Sequence, residues 1–138
     1  MNEPFQFEKM ENPEWELIGG GIHDFNTQQA GNDSGKTLCF VVRNPEGQMI
    51  GGVIGETYWN WLYISLMWIK EEYRGQGLGQ RLLALAEEEG QKRGAEHAYL
   101  DTLSFQAPEF YKKYGWRVFG ELPNFPGPHT RYFMIKDF

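Results

Sequence analysis

The glycine-rich stretch Arg74–Gly79 is the part of the chain whose residue types most directly suggest chemistry. It follows the apolar run Trp61–Ile69 and leads into Leu78–Arg93, a segment with helical periodicity. A strand that passes through glycines into a helix leaves backbone N–H groups without intrahelical acceptors, at the positive end of the helix dipole. Such helix termini bind anions, phosphates among them. The stretch therefore predicts a site for a phosphorylated cofactor.

Two common nucleotide-binding motifs do not fit this loop. Gly75, Gly77 and Gly79 alternate, but Gln80 stands where the dinucleotide pattern G-x-G-x-x-G needs its last glycine. A Walker loop needs a Gly-Lys-Ser/Thr sequence, and none follows here. The loop is therefore predicted to hold a phosphorylated cofactor of another kind.

Composition narrows the classes of partner. The 138 residues suit one compact domain, residues 1–138, and 41% of them are hydrophobic. A net charge of −6 argues against nucleic-acid binding. It indicates either a cationic substrate or a surface whose charge serves only solubility.

Cys39 is the single cysteine, so we expect no disulfide, a buried thiol and a reducing, cytoplasmic location. The longest apolar run is too short to span a bilayer, so no membrane partner is predicted.

Periodicity and turn residues predict a mixed sheet with helices packed on it, an α/β (α+β) fold. The hairpins should be antiparallel and the crossover from Trp61 through Tyr99 parallel. Three glycines at positions 19–21 are expected to separate a first strand from a short helix. We expect the side chains of Trp61 and Trp68 in the core. The predicted strands are Glu14–Ile18, Thr37–Arg43, Met49–Tyr58, Trp61–Ile69, His97–Leu103, Trp116–Gly120 and Arg131–Ile135, and the predicted helices are Ile22–Ala30, Leu78–Arg93 and Ala107–Tyr114.

Three segments in this order resemble one enzyme family. Residues 74–79 match the signature R/Q-x-x-G-x-G/A of the GNAT family of N-acetyltransferases. The preceding Leu66–Ile69 resembles the fourth strand of that family, and Phe110–Trp116 resembles its F-Y-x-x-x-G-F/Y segment. The resemblance extends over roughly residues 37–135, which is most of the chain.

The resemblance implies the GNAT acyl-CoA N-acyltransferase fold, a mixed, mostly antiparallel sheet flanked by helices. It also implies acetyl-CoA as co-substrate. In that family the loop backbone holds the pyrophosphate and the fourth strand hydrogen-bonds the pantetheine arm. The acetyl group sits in the gap where the fourth and fifth strands splay apart. The residues thereby implied in cofactor binding are Met67, Trp68, Ile69, Arg74, Gly75, Gln76, Gly77, Leu78 and Gly79.

Acetyl transfer to an amine requires two proton transfers. A lysine-like amine must lose a proton before it attacks, which costs about 4–5 kcal/mol at pH 7, and the departing thiolate must gain one. Tyr111 matches the family's tyrosine and is the predicted general acid. Glu56 is either the general base, acting through a water molecule, or a solvated hairpin carboxylate. Asp101 or Tyr63 is an alternative group to orient that water, and a further alternative is that no single residue is the base.

The acceptor site is harder to place. Tyr58 and Trp59 would line a pocket for a cationic or ring-bearing molecule. The loop Pro123–His129 is expected to border that pocket or a homodimer contact. The histidines at positions 23, 97 and 129 lack the spacing of metal ligands, so no metal ion is expected to bind.

Together these features predict a cytoplasmic N-acetyltransferase that moves an acetyl group from acetyl-CoA to the primary amine of a small cationic molecule. A protein or peptide N-acetyltransferase is one alternative. A non-catalytic acyl-CoA-binding sensor module is another.

Overall fold

The computed structural model describes residues 4–138. Two compact units are present, one ending at Asp33 and the other running from Ser34 to Phe138. No helix within the described range is long and apolar enough to cross a membrane.

The unit that ends at Asp33 contains one continuous helix, α1, from Trp15 to Ala30. The strand predicted over Glu14–Ile18 is therefore wrong, and the predicted helix begins earlier and runs through the three glycines. The Glu14 carboxylate accepts a hydrogen bond of 3.2 Å from the Leu17 backbone N–H, so it caps the first turn. This cap, rather than the glycine run, determines where the helix begins.

The second unit is built on a six-stranded sheet with the order β1-β2-β3-β4-β6-β5. Only β3 and β4 pair in parallel, while the other four neighbouring pairs are antiparallel. The mixed sheet and the parallel crossover confirm the predicted fold class. The strands are β1 Lys36–Arg43, β2 Met49–Tyr58, β3 Trp61–Ile69, β4 His97–Leu103, β5 Arg117–Leu122 and β6 Arg131–Asp137, and the helices are α2 Leu78–Lys92 and α3 Pro108–Lys113.

Helix α2 covers one face of the sheet. Its buried residues Leu83 and Ala86 pack in one cluster with Leu62 of β3 and Met134 of β6, all at most 1% exposed. Burying each large apolar side chain contributes about 1.5–3 kcal/mol. The ring of Tyr111 on α3 joins the same cluster, so the core that holds the helix also holds the predicted acid.

An extra residue in β3 changes which side chains face this core. Leu62 and Ile64 are buried, but the pairing with β2 shifts at Ser65, whose hydroxyl donates to the Ile54 carbonyl. Beyond the bulge, Met67 packs on the core and Trp68 is 54% exposed. The expectation of a buried Trp68 is therefore wrong because alternation restarts at the bulge.

The expectation of a buried Cys39 is also wrong. Its neighbour Leu38 turns towards the core at 5% exposure, so alternation along β1 directs the thiol to the other face, where it is exposed. Trp61 likewise lies on the face opposite Leu62 and is only half-buried.

Gly55, next to the bulge, is predicted to be intolerant of any side chain. A Cβ atom there would overlap the carbonyl oxygen of Tyr63. Gly55→Ala should therefore push β2 and β3 apart and lower the free energy of unfolding in urea by about 2 kcal/mol. Gly120→Ala is the matched control, since a Cβ atom there meets Phe133 only at an ordinary 3.8 Å. Equal stability of the two variants would contradict this prediction.

Candidate active site

The parallel pairing of β3 with β4 stops partway along both strands. Three rungs join them, and the last is Tyr63 opposite Tyr99. Apart from the bulged Ser65, residues 64–69 of β3 remain paired with β2 on the other side. Within the described chain, the edge of β3 that faces β4 therefore has no strand partner after residue 63. Backbone groups on such an edge need a ligand or water to complete their hydrogen bonds.

The loop after β3 presents a second set of free backbone donors. Gly75 and Gly77 both have φ of +81°, a conformation that favours glycine, and Gly77 caps α2 without a side-chain hydrogen bond. The first bond that closes the helix runs from Arg81 N–H to Gly77 O, at 3.2 Å. The six N–H groups from Gly75 to Gln80 donate to no other group in the part of the chain that the structure describes.

Two contacts fix this loop beside the open strand edge. The Arg74 Nε donates a 2.9 Å hydrogen bond to the Ile69 carbonyl, which ties the loop to the end of β3. Gly79 lets α3 approach, because a Cβ atom there would lie 3.3 Å from the Phe110 ring. The strand edge, the loop and α3 therefore converge, as the spacing of the three sequence segments suggested.

Tyr111 follows Phe110 on α3 and is only 7% exposed. Its ring packs against Phe110 and Trp116, with centroids at 5.2 and 6.0 Å. Burial raises the pKa of the Tyr111 phenol to about 12, so the proton stays on the oxygen throughout the neutral range. Its hydroxyl has no hydrogen-bond partner in residues 4–138, which leaves a protonated donor available to a ligand.

A tyrosine cluster lies on the other face of the sheet, at the last β3–β4 rung. Tyr63 stacks on Tyr99 with ring centroids 4.7 Å apart, and the Tyr58 and Tyr99 hydroxyls are hydrogen-bonded. Burial raises the pKa of Tyr99, and the hydrogen bond between Tyr99 and Tyr58 raises it further. Burial followed by the charge of Asp101 raises the pKa of Tyr63. Tyr63 and Tyr99 are therefore neutral at the point where the pairing of β3 with β4 ends.

Two carboxylates lie beside this tyrosine cluster, and they differ in whether a described residue forms an ion pair with them. Glu56 lies opposite Tyr63 across β2 and β3, is half-buried, and has no ion-pair partner among the described residues. Asp101 is paired with Arg131, whose Nε and Nη2 lie 3.0 and 2.9 Å from Oδ1. The Arg131 guanidinium also stacks over Phe125. Glu56 therefore remains open as a base, whereas Asp101 is already engaged, and no sequence pattern had indicated Arg131.

His97 and His129 contact different side chains of the second unit. His97 hydrogen-bonds Asp137 at 2.7 Å and lies against the Trp61 ring, and His129 contacts Phe105. His23 lies on α1. Residues 4–138 hold no group of three or more side chains placed to bind a metal ion.

Comparison with known proteins assigns this geometry to a family. The sequence model of the Acetyltransferase (GNAT) family matches residues 2–116. The chain belongs to the GNAT acetyltransferase family. The recognition from the glycine loop, the preceding strand and the Tyr-x-x-x-Gly-Trp segment is thereby confirmed.

Curated GNAT relatives are similar over two thirds or more of their length. An acetyltransferase of Agrobacterium fabrum is 39% identical over 98 residues, which cover 71% of this chain and 72% of the relative. The blasticidin-S acetyltransferase of Streptomyces morookaense is 36% identical over 92 residues, which cover 66% of this chain and 68% of the relative. The chain is therefore an acyltransferase enzyme, which argues against the non-catalytic sensor alternative.

Solved structures confirm the GNAT fold. An acetyltransferase from Bacillus cereus superposes with a TM-score of 0.86 at 34% identity, over 95% of this chain and 98% of that one. A Bacillus anthracis protein solved with acetyl coenzyme A bound shares the fold at 22% identity, with a TM-score of 0.66 over 74% of this chain and 62% of that one.

The buried phenol of Tyr111 predicts a loss of stability in alkali. Its pKa in the folded state, about 12, exceeds the value of about 10 in the unfolded chain, so the unfolded chain loses this proton first as the pH rises. The contribution is complete below pH 10 and is lost as the pH approaches 12, at a cost of about 2–3 kcal/mol. Urea unfolding at pH 8, 10 and 11 should show this fall, and Tyr111→Phe should reduce it. An equally steep fall in the variant would show that Tyr111 is not the group responsible.

Proposed function

We propose that this enzyme transfers the acetyl group of acetyl-CoA to the primary amine of a small cationic molecule. The observation that carries the proposal is the meeting of an unpaired edge of β3 with six free N–H groups at the start of α2. An extended arm followed by a pyrophosphate is a ligand that fits both surfaces at once.

The backbone N–H groups of Gln76, Gly77, Leu78 and Gly79 would bind the pyrophosphate, with Arg74 and Gly75 shaping the loop. Hydrogen bonds to charged groups are each worth about 1.5–3 kcal/mol. Further along, the backbone of Met67, Trp68 and Ile69 would pair with the pantetheine amides, as an added strand does. The acetyl-CoA complex of the Bacillus anthracis protein, which shares the fold, supports this choice of ligand.

Bound acetyl-CoA supplies the acetyl thioester, and Tyr111 would act as the acid. A thiol has an ordinary pKa of about 8.5, so a phenol with a pKa near 12 cannot lose its proton early but can hydrogen-bond the sulfur as charge develops there. Transfer of the proton to a free thiolate would then be uphill by about 5 kcal/mol, unless the buried site raises the pKa of the thiol similarly. Burial of the thiol beside Tyr111 would raise the thiol pKa and so reduce this difference.

The tyrosine cluster and Glu56 would receive the acceptor on the other face. Phenol rings attract cations with about 0.5–2 kcal/mol each, and the Glu56 carboxylate adds a full negative charge. Glu56 would then accept the amine proton through a water molecule as the new N–C bond forms, when the nitrogen becomes much more acidic. Asp101 cannot share this task while Arg131 is bound to it.

Two further observations favour a small acceptor with positive charge. The chain carries a net charge of −6, which raises the local concentration of cations. The Streptomyces relative, at 36% identity, is named for activity on blasticidin S.

The single cysteine is consistent with action in a reducing cytoplasm.

Replacing Tyr111 by Phe should remove the proton donor and keep the ring. The expected kcat is about 100-fold lower, because a general acid typically contributes that much or more. The Kd for acetyl-CoA, measured by calorimetry, should stay within about twofold, since no pyrophosphate or pantetheine contact is lost. Tyr114→Phe, on the same helix, is the matched control. An unchanged kcat in Tyr111→Phe would remove Tyr111 from the mechanism.

A panel of acceptors with detection of released thiol should identify the substrate class. We expect turnover with a small di- or polyamine or a cationic aminoglycoside-like compound, and none with lysine-containing or N-terminal peptides. Glu56→Gln should raise KM for the active amine about 5–10-fold, and added salt should lower kcat/KM because the attraction is electrostatic. Turnover of peptides without turnover of small amines would contradict the proposal.

A further inference from the structure

One part-buried ammonium group connects β6, α2 and the end of α3, the helix that carries the predicted acid. Lys136 Nζ lies 2.6 Å from Oε1 of Glu87 and donates a 2.9 Å hydrogen bond to the backbone carbonyl of Tyr114. The Glu87 side chain is 11% exposed and that of Lys136 is 25% exposed. We call these three residues the Lys136 clip. It is distinct from the surface ion pairs because one partner is a backbone group at the end of a helix.

Each end of the clip is rigidly supported. Lys136 belongs to β6 and pairs with Ala98 of β4, which is fully buried. Glu87 lies on the buried side of α2. The position of the ammonium group is therefore set by the sheet and by the main helix, and not by α3.

The third contact of the clip, from Lys136 to the Tyr114 carbonyl, is with the C-terminal end of α3. Tyr114 follows the last helical residue, and the chain then turns through Gly115 at φ +95°. A Cβ atom on Gly115 would lie 3.5 Å from Cε of Lys136, so the turn packs directly on the lysine stem. A positive charge at this end of a helix is also the favourable sign.

Core packing of Tyr111 and Phe110 holds the middle of α3, and the clip adds a polar contact at its C-terminal end. The helix spans six residues, and Ala107 at its start provides no side-chain cap. Helices this short are not stable by themselves. The Tyr111 hydroxyl makes no hydrogen bond within residues 4–138, so the location of its oxygen depends on where the helix backbone is held.

We propose that Glu87 and Lys136 are positioning residues that set the Tyr111 hydroxyl against the reacting thioester. This inference rests on the proposed role of Tyr111 as the acid. A buried ion pair adds little net stability compared with apolar side chains of similar volume, so stability alone does not explain the clip. The need to place a catalytic group accurately does explain the clip, because a shift of about 1 Å at such a group can lower the rate a hundredfold.

The test compares one single and one double variant. Lys136→Met leaves Glu87 buried without a partner and will lower stability. Glu87→Met combined with Lys136→Met removes both charges and should fold stably, but it loses the bond to the Tyr114 carbonyl. We expect the double variant to have a kcat about 10–100-fold lower, while its KM and Kd for acetyl-CoA stay within about twofold.

Arg93→Met provides the matched control. Arg93 is another part-buried cation that donates to backbone carbonyls, those of Lys36 and Thr37, and it does not contact α3. Its replacement should lower the unfolding midpoint and leave kcat within about twofold. A similar fall of kcat in Arg93→Met would show that general destabilisation, and not the clip, reduces activity.

A double-mutant cycle separates this proposal from the function of Tyr111. If the clip acts through the phenol, the clip variant should lower kcat strongly in the wild-type background and by less than about twofold in the Tyr111→Phe background. Equal effects in both backgrounds, or full activity of the clip variant, would overturn the inference. If Tyr111→Phe alone retains full activity, the proposed acid role is the part that fails.

Discussion

The separation of β3 from β4 after the Tyr63–Tyr99 rung is the constraint on which the rest of the site depends. A continuous sheet would satisfy its own backbone groups and leave no room for a ligand. Because the two strands part while β3 keeps its pairing with β2, one row of backbone donors and acceptors stays open next to a rigid frame. The free N–H groups of Gly75–Gln80 continue that row into a helix N-terminus, the kind of terminus that binds anions in proteins.

The proposed acid and the proposed base lie on opposite faces of the sheet. On the α2 side, burial keeps the Tyr111 phenol protonated. On the other side, Glu56 remains without an ion-pair partner among the described residues, beside the stacked rings of Tyr63 and Tyr99. In the proposed mechanism the thiolate needs an acid and the amine needs a base, and these separate environments would keep the two groups from neutralising each other.

Sequence patterns predicted the elements that depend on local signals. The strands Met49–Tyr58 and Trp61–Ile69 have the predicted bounds because alternation and turn residues mark them clearly. The same patterns did not reveal which way Trp68 faces, because the bulge at Ser65 depends on the pairing with β2. Arg131 was also missed, since its bond to Asp101 joins residues 30 positions apart and no spacing rule links them. The prediction for α1 was partly wrong because three glycines usually interrupt a helix, whereas here the Glu14 side chain caps a helix that continues through them.

The most direct test of the account is an amide NMR titration of the ¹⁵N-labelled protein with acetyl-CoA. The account predicts that the largest shifts occur at the N–H groups of Gly75–Gln80, with a second group along residues 64–69 of β3. The loop donors, and the alternate β3 donors that face β4, have no strand or helix partner in the free protein and would acquire acceptors on binding. Saturation with acetyl-CoA that leaves these resonances in place, or that shifts only residues elsewhere in the sheet, would contradict it.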